Sequence, residues 1–336
     1  MRAYRIKQFG LENLKADELP NPAPGAGEVL VRVHATSLNY RDLMIVRGLY
    51  DPKLRFPRIP LSDGAGEVVE VGAGVSRVRV GDRVVGLFLQ NWQEGPPTAE
   101  KSRGALGGDL DGMLSEYVVL PEQGVVRFPQ YLSYEEAATL PCAGLTAWHA
   151  LFEAASIQPG DTVVIQGTGG VSIFALQIAK LAGARVLGTS SSDEKLVRAK
   201  QLGLDSGLNY KQHPDWATWV KEQTSGRGAD AIVEVGGAGT LGESMKAVGV
   251  GGTIAQIGVL AGGEETLSVR PLLMRQIRLL GIYVGSRAMM EALLQAFELH
   301  QIRPVVDRVF RFDEALAALH LLEAGEHFGK IVVTLG

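Results

Sequence analysis

Apolar residues in the first third of the chain alternate with polar ones or run on over short stretches, as in "EVLVRVHATSL", "GAGEVVEVG" and "GDRVVGLFL". Gly, Pro or Asp bounds each stretch, so the pattern predicts short strands and turns that close into a partly open barrel. The glycines of "GAG" at Gly64 to Gly66 and at Gly72 to Gly74 read as turns between them. Between Leu87 and Gly112 the chain is polar, rich in Gly and Pro, and too long for a simple connector. Such a segment predicts a functional loop or mobile lid. Trp92 inside it reads either as a hydrophobic peg or as a pocket wall.

After "GMLSEYVVLP" the period changes. "SYEEAATLPCAGLTAWHALFEAA" carries Ala and Leu at helical spacing, with Ser133 and Glu136 placed as a capping box, and the change of texture sets a boundary near Pro121 to Val125. Beyond it, apolar runs ("DTVVIQG", "ARVLGT", "GLNY", "ADAIVEVGG", "GTIAQIG", "IRLLGIYVG") alternate with amphipathic segments, among them Ile173 to Leu181, Lys195 to Leu202, "WATWVKEQT" and "LGESMKAVG". Strand, helix, strand repeated this often predicts an α/β domain whose parallel sheet is covered on both faces.

A chain of 336 residues suits two domains better than one core. Its 46% hydrophobic and 21% charged residues and net charge of -4 lack the basic excess that nucleic acid or an anionic membrane requires, so neither is expected as a partner. The first residues lack an apolar signal core, and no apolar run approaches the roughly 20 residues that span a bilayer, which points to a cytoplasmic protein. The single cysteine, Cys142, excludes an internal disulfide and a zinc site built from several cysteines. None of the six histidines lies in a metal-ligand spacing.

In "VVIQGTGGVSIFALQIAK" the glycines Gly167, Gly169 and Gly170 follow the first strand of the alternating region and open its first helix. There the chain must turn tightly and let its backbone approach a pyrophosphate, so Gly167, Thr168, Gly169, Gly170 and Val171 are the expected dinucleotide loop. The sixth position of the G-x-G-x-x-G pattern is Ser172, small enough to replace the glycine that lets helix pack on strand. NAD enzymes place a carboxylate at the end of the second strand, where this chain has Ser190, Ser191 and Ser192. Hydroxyls there can donate to a 2′-phosphate, with Lys195 and Arg198 near to balance its charge, so NADP(H) is the expected cofactor and NAD(H) the alternative.

Taken in order, "HATSLNYRD", "GAGEVVEVGAGVSRVRVGDRVVG", "AATLPCAGLTAWHAL", the glycine motif and "GKIVV" resemble the medium-chain dehydrogenase/reductase superfamily over essentially the whole chain. The resemblance implies a GroES-like β-barrel catalytic domain over 1–125, a Rossmann doubly wound parallel-sheet domain over 126–286, and the rest of the catalytic domain over 287–336. In the zinc members a Cys opens the segment aligned with "NYRD", a His-Glu pair stands at Ser62-Asp63, and another Cys or Asp completes the site. Here Asn39 and Ser62 hold the first two ligand positions, and only Cys142 remains at a ligand-like place. The Leu87 to Gly112 loop has no Cys for a structural zinc lobe either.

Without zinc there is no Lewis acid to lower an alcohol's pKa, whereas a quinone or an α,β-unsaturated carbonyl accepts hydride into its conjugated system. "LNYRDLMIVRGLY" also resembles the zinc-free quinone oxidoreductase and enoyl reductase branch, although Met44 stands where that branch often has a Tyr. Asn39 is then the first candidate for a hydrogen bond to nicotinamide or substrate oxygen, with Tyr40 and Asp42 behind it. The resemblance further implies cofactor contacts at Thr146, Tyr210, Gly236, Gly237, Ile257, Gly258, Val259, Gly285, Arg287 and Lys330. It also implies a homodimer paired along Leu279 to Val284. Two other roles suit the same motifs: an NADPH-binding sensor or structural protein with little turnover, and a metal-free alcohol or aldehyde dehydrogenase.

Overall fold

The structure, a computed structural model, describes residues 1–335. The chain forms two units, one made of Met1–Leu145 with the segment from Val284 onward, the other of Thr146–Tyr283. The first unit opens with strands β1 (Arg2–Arg5), β2 (Lys15–Glu18), β3 (Glu28–Ser37), β4 (Asp63–Val71), β5 (Arg83–Gly86), β6 (Tyr117–Pro121) and β7 (Val125–Arg127). The second contributes β8 (Thr162–Gln166), β9 (Arg185–Ser190), β10 (Ser206–Asn209), β11 (Ala229–Glu234), β12 (Val248–Gln256) and β13 (Arg278–Gly281). The chain then completes the first unit with β14 (Val306–Arg311) and β15 (Lys330–Thr334).

In the first unit β14, β15, β3, β4, β5 and β7 lie in that order in one sheet, with β6 paired to β3. Their inward faces supply Val31, Val33, Leu120, Ile331 and Val333 to a core that the helix Ala315–Ala324 closes with Ala318, Leu319 and Leu322. Strand register gathers polar residues at one end of this sheet. Val332 lies opposite Ser37, and Ser37 opposite Asp63. Continuing the antiparallel pairing of β15 and β3 by two residues sets Lys330 across from Asn39, so three strands bring a lysine, an asparagine and an aspartate to one edge.

The second unit has an all-parallel sheet in the order β10-β9-β8-β11-β12-β13. Renumbered within the unit this is 3-2-1-4-5-6, the doubly wound order of a dinucleotide-binding sheet, whose switch point lies between β8 and β11. The central strand β8 is buried throughout, as a sheet covered on two faces requires. Helices Gly170–Leu181, Asp193–Gln201, Trp216–Gln223, Leu241–Ala247 and Arg270–Arg275 follow its strands. No helix among the described residues is long and apolar enough to cross a membrane.

Three expectations need correction. The unit boundary falls after Leu145 rather than near Val125, and after Tyr283 rather than Ser286. The helical texture does begin with the Ser133–Glu136 capping box, but its first turns belong to the barrel: Tyr134 stacks on His34 of β3 with ring centroids 4.3 Å apart, and the Cys142 N–H donates to Asp63 of β4. The glycines at 64–66 are not a turn either. They lie within β4, where a Cβ on Gly66 would meet the Arg32 carbonyl oxygen at 2.2 Å, so the close approach of β3 demands glycine.

The loop from Leu87 to Gly112 is pinned rather than lid-like at its two ends, with Leu87, Phe88, Leu89, Ala105 and Leu106 buried and the Leu106 N–H donating to Phe88 O at 3.0 Å. Trp92 is 2% exposed, and its indole N–H donates to Gly95 O at 2.9 Å. Its own carbonyl accepts from the Arg287 N–H at 2.9 Å. Of the two readings of Trp92, the structure bears out the peg. Trp92→Ala should therefore lower the unfolding free energy by about 3–5 kcal/mol, measured by urea denaturation monitored on the first unit; a loss below about 1 kcal/mol would place the loop's anchorage elsewhere.

Candidate active site

Asn39 stands at the N-cap of the helix Tyr40–Val46 in extended conformation, so its side chain is free of the helix while its N–H needs an acceptor. Asp42, three residues on, supplies that acceptor at 2.8 Å. The "NYRD" segment thereby makes its own cap, and Asp42 is drawn fully inward. Its second oxygen, Oδ1, has Arg41 Nη1 at 3.8 Å. Arg41 is held on the Leu106 carbonyl and lies against the rings of Phe88 and Tyr50. Arg47, the other cation near in sequence, pairs with Glu323 instead.

Behind Asn39 a polar cluster fills the end of the sheet. The Lys330 ammonium, 3% exposed, donates to the Leu38 carbonyl and to Asn39 Oδ1, the latter at 2.6 Å. Asn39 Nδ2 faces Ser62 Oγ at 3.5 Å, and Ser62 in turn donates to Asp63 Oδ1 at 2.7 Å. Asp63 Oδ2 accepts from the Cys142 N–H at 3.2 Å, within the π-helical turn Leu140–Gly144. Asn39 and Cys142 are the half-buried members; Ser62, Asp63, Asp42 and Lys330 are closed in.

Burial governs the protonation of this cluster, because a low-dielectric surround disfavours every charge. It raises Asp63, against the opposing pull of Lys330 and of hydrogen bonds from Asn39, Ser62 and Cys142. It lowers Lys330, against the pull of Asp63. Burial also pushes the Cys142 thiol up, and the Asp63 carboxylate adds to that shift, so Cys142 is held protonated and is not an activated nucleophile. Asp42 is pushed up to about 6, mainly by burial and in part by Asp63, despite Arg41.

The second unit builds a separate set of loops. Gly167 turns with φ 69°, and open space surrounds the position of a Cβ on Gly167 or Gly169. The helix Gly170–Leu181 has Gly169 at its N-cap and no side-chain cap, an end at which backbone N–H groups could hold a phosphate. Thr168 is buried and Val171 is half-buried at the same turn. Ser172 takes the place of the third glycine because its hydroxyl donates to Gln166 O at 2.6 Å, so packing of helix on strand leaves no polar atom stranded.

Beside this turn, the Gly167 N–H donates to Thr189 O at 2.7 Å, and the Tyr210 N–H to Ser190 O at 3.0 Å. Gly167, Ser190, Ser191 and Tyr210 therefore meet along one edge, with Ser191 and Tyr210 exposed and Lys195 half-buried on the following helix. The third candidate set also converges. Gly258 packs so closely that a Cβ would lie 2.1 Å from Val235 O, and Gly237, at φ 79°, would meet the backbone of Gly258 and Val259. Ile257 is tied in through its N–H on Glu234 O at 2.8 Å.

The residue that organises these loops is one the sequence reading missed. Glu234 ends β11 fully buried, and its carboxylate accepts from the Gly236 and Gly237 N–H groups, the Thr240 and Ser244 hydroxyls and the Gln166 amide. Gln166 is the residue before the glycine turn, so one carboxylate couples both loops. An acidic residue closing an apolar strand directly before "VGG" was the available signal.

Other candidates fall outside these groups. Tyr40 is 41% exposed and is not drawn into the Asn39 cluster. Thr146 is buried at the start of the second unit. Gly285 and Arg287 belong to the first unit, where a Cβ on Gly285 would press on Leu145 and Met289 and where Arg287 engages Gln123 and Glu291.

A GroES-like alcohol dehydrogenase domain model matches residues 25–130, and a zinc-binding dehydrogenase model matches residues 170–298. The chain belongs to the medium-chain dehydrogenase/reductase superfamily. Within that superfamily it is 43% identical to a zinc-type alcohol dehydrogenase-like protein of Schizosaccharomyces pombe, over 97% of this chain and 96% of the relative. It is 30% identical to an acryloyl-coenzyme A reductase of Metallosphaera sedula, over 99% of this chain and 100% of the relative. A crystal structure of an NAD-dependent alcohol dehydrogenase superposes with a TM-score of 0.92 at 38% identity, each chain covered completely (100%). Like other members of this superfamily, the protein is an oxidoreductase that uses a nicotinamide cofactor.

The Asp42 carboxyl supplies a test of the cluster. Its value of about 6 in the folded protein lies above the ordinary 3.8, so the folded state binds the proton more tightly. The stability this contributes is complete below about pH 4 and is lost as pH rises through 6. Asp42→Asn keeps an acceptor for the Asn39 N–H without the charge. It should therefore stabilise the protein by roughly 1–3 kcal/mol at pH 8 and by almost nothing near pH 4. Equal effects at the two pH values in urea titrations would refute the buried charge.

Proposed function

We propose that this chain is a zinc-independent, NADPH-linked reductase that delivers hydride to a quinone or an α,β-unsaturated carbonyl. The observation that carries the proposal is the Lys330 ammonium bonded to Asn39 at the convergence of Asn39, Ser62, Asp63 and Cys142. These are the positions at which the zinc members of the superfamily hold their metal, and the donors here do not fit one. Asn39 Oδ1 is taken by the ammonium, the Ser62 hydroxyl is spent on Asp63, and the Cys142 thiol is held protonated. A catalytic zinc needs about three protein ligands. Among the described residues, no group of three or more His, Cys, Asp or Glu side chains is arranged to hold a metal ion.

A site without a Lewis acid suits an acceptor that is already activated. Acryloyl-coenzyme A, named for one relative, is itself a conjugated carbonyl compound. When bound, NADPH supplies the hydride. Asn39 supports the reaction by donating an amide N–H to the acceptor's oxygen, where negative charge develops as the conjugated system is reduced. Gly167 to Val171 hold the pyrophosphate, the Glu234 network keeps the Gly236–Gly237 and Ile257–Val259 loops in place, and Ser190, Ser191, Lys195 and Tyr210 receive the 2′-phosphate. The absence of a carboxylate at Ser190 supports NADPH over NADH. The open edge strand β13, with Leu280 and Tyr283 partly exposed, suits pairing with a second copy of the chain.

Chelator-treated protein should oxidise NADPH in the presence of an ortho-quinone or a simple enone with no metal added, followed by ultraviolet absorbance. A requirement for stoichiometric zinc, or a preference for NADH by about an order of magnitude, would overturn the proposal. NADPH binding without turnover would favour a sensor or structural role. Ser190→Asp places a carboxylate beside the 2′-phosphate and should shift the NADPH to NADH ratio of kcat/KM toward NADH by about tenfold or more; an unchanged ratio would move the phosphate site away from β9.

A further inference from the structure

An ammonium donates and never accepts, so the Asn39 atom 2.6 Å from Lys330 Nζ must be the amide oxygen. That contact settles an orientation which the shape of a carboxamide leaves open, since its two ends are nearly equal in size. With Oδ1 turned to Lys330, Nδ2 is turned toward Ser62 and Asp63: the Ser62 hydroxyl is 3.5 Å away and donates elsewhere, and the Asp63 carboxylate takes a hydrogen bond from the amide. The amide nitrogen carries two N–H donors, so one can meet these neighbours while the other is available to a ligand's oxygen. The reverse orientation would set two donors against each other and leave the buried cation with the Leu38 carbonyl alone of these two acceptors.

Lys330 itself is poorly placed to touch a ligand. It is 3% exposed, the pairing of β15 with β3 fixes its backbone, and two of its three N–H donors are committed to Leu38 O and Asn39 Oδ1. Asn39, in front of it, is half-buried. We infer that Lys330 is a positioning residue that acts through Asn39, locking the amide so that an N–H faces the acceptor's oxygen. This replaces the cofactor contact expected for Lys330, and it rests on the reading of the chain as a reductase of conjugated carbonyls. The positive charge behind the amide oxygen also polarises the amide, which makes its N–H a stronger donor as the oxygen of the acceptor becomes negative.

A double-mutant cycle between Lys330 and Asn39 tests the assignment. Lys330→Met should lower kcat about 30-fold or more while leaving the NADPH Kd within about twofold. Adding it to Asn39→Ala should cost nothing further, and Lys330→Arg, which keeps a donor, should recover part of the loss. Independent losses that multiply, or a tenfold weaker NADPH Kd with kcat retained, would overturn it. The chain has only five asparagines, so selective 15N labelling can resolve the Asn39 side-chain amide in the cofactor-free protein. Its two protons should shift and exchange faster in Lys330→Met; an unchanged pair would overturn the assignment.

Should Lys330→Met fail to fold, Asn39→Asp decides the matter. It keeps an oxygen for Lys330 but presents no N–H, so kcat should fall about 30-fold with NADPH binding intact, and a wild-type kcat would overturn the assignment. If the wild-type protein reduced neither a quinone nor an enone, the reductase reading would fall. The amide resonances would still support or overturn the role of Lys330.

Discussion

A buried ammonium has to be met by acceptors, and Lys330 draws one end of the barrel together on that requirement. A cation removed from water costs several kcal/mol unless carbonyls or carboxylates replace the lost hydration. The Leu38 carbonyl and Asn39 Oδ1 do so directly, and the charges of Asp63 and Asp42 do so through space. Three strands must be in register for this to happen, because a shift of one residue would turn Lys330 to the opposite face. The cluster therefore ties its chemistry to the pairing of strands from opposite ends of the chain: β3 carries Asn39 at its exit, and β15 begins with Lys330.

The second unit meets a comparable constraint with the opposite sign. Glu234 is a buried carboxylate with backbone N–H groups, two hydroxyls and a side-chain amide arranged around it. Charge-assisted bonds of this kind are the stronger class, and losing one partner would leave a buried charge poorly compensated. The network therefore holds the turn after β8 and the turn after β11 in a fixed relation. Those turns flank the switch point of the sheet, where the doubly wound fold leaves room for a ligand.

Much of the fold was legible because its signals are local. Alternation in "EVLVRVHATSL" gave β3, the Ser133–Glu136 box gave a helix start, and the glycines before an amphipathic segment gave the turn between β8 and the helix Gly170–Leu181. The errors share one cause. Pattern and composition report what a segment forms and not what it packs against, so the helical turns after Val125 were assigned away from the barrel that they cover. Gly66 looked like a turn because glycine is permissive, whereas here it is required by the neighbouring strand. Lys330 was visible as a residue of interest, but its distance of nearly 300 positions from Asn39 hid the bond between them.

Residue types alone determined several things about this protein: the two-part α/β organisation, the glycine turn after β8, the absence of a carboxylate at Ser190, and the amide and hydroxyl at Asn39 and Ser62. These depend on chemical identity and on spacing within one element, which the chain carries wherever it folds. The tertiary structure decided which way the Asn39 amide faces, that Asp42 lies closed in behind it, that Trp92 serves as a peg, and that Glu234 couples two loops. Each of those turns on a partner distant in sequence or on the packing around it, and burial there sets both the protonation of the group and the direction of its hydrogen bonds.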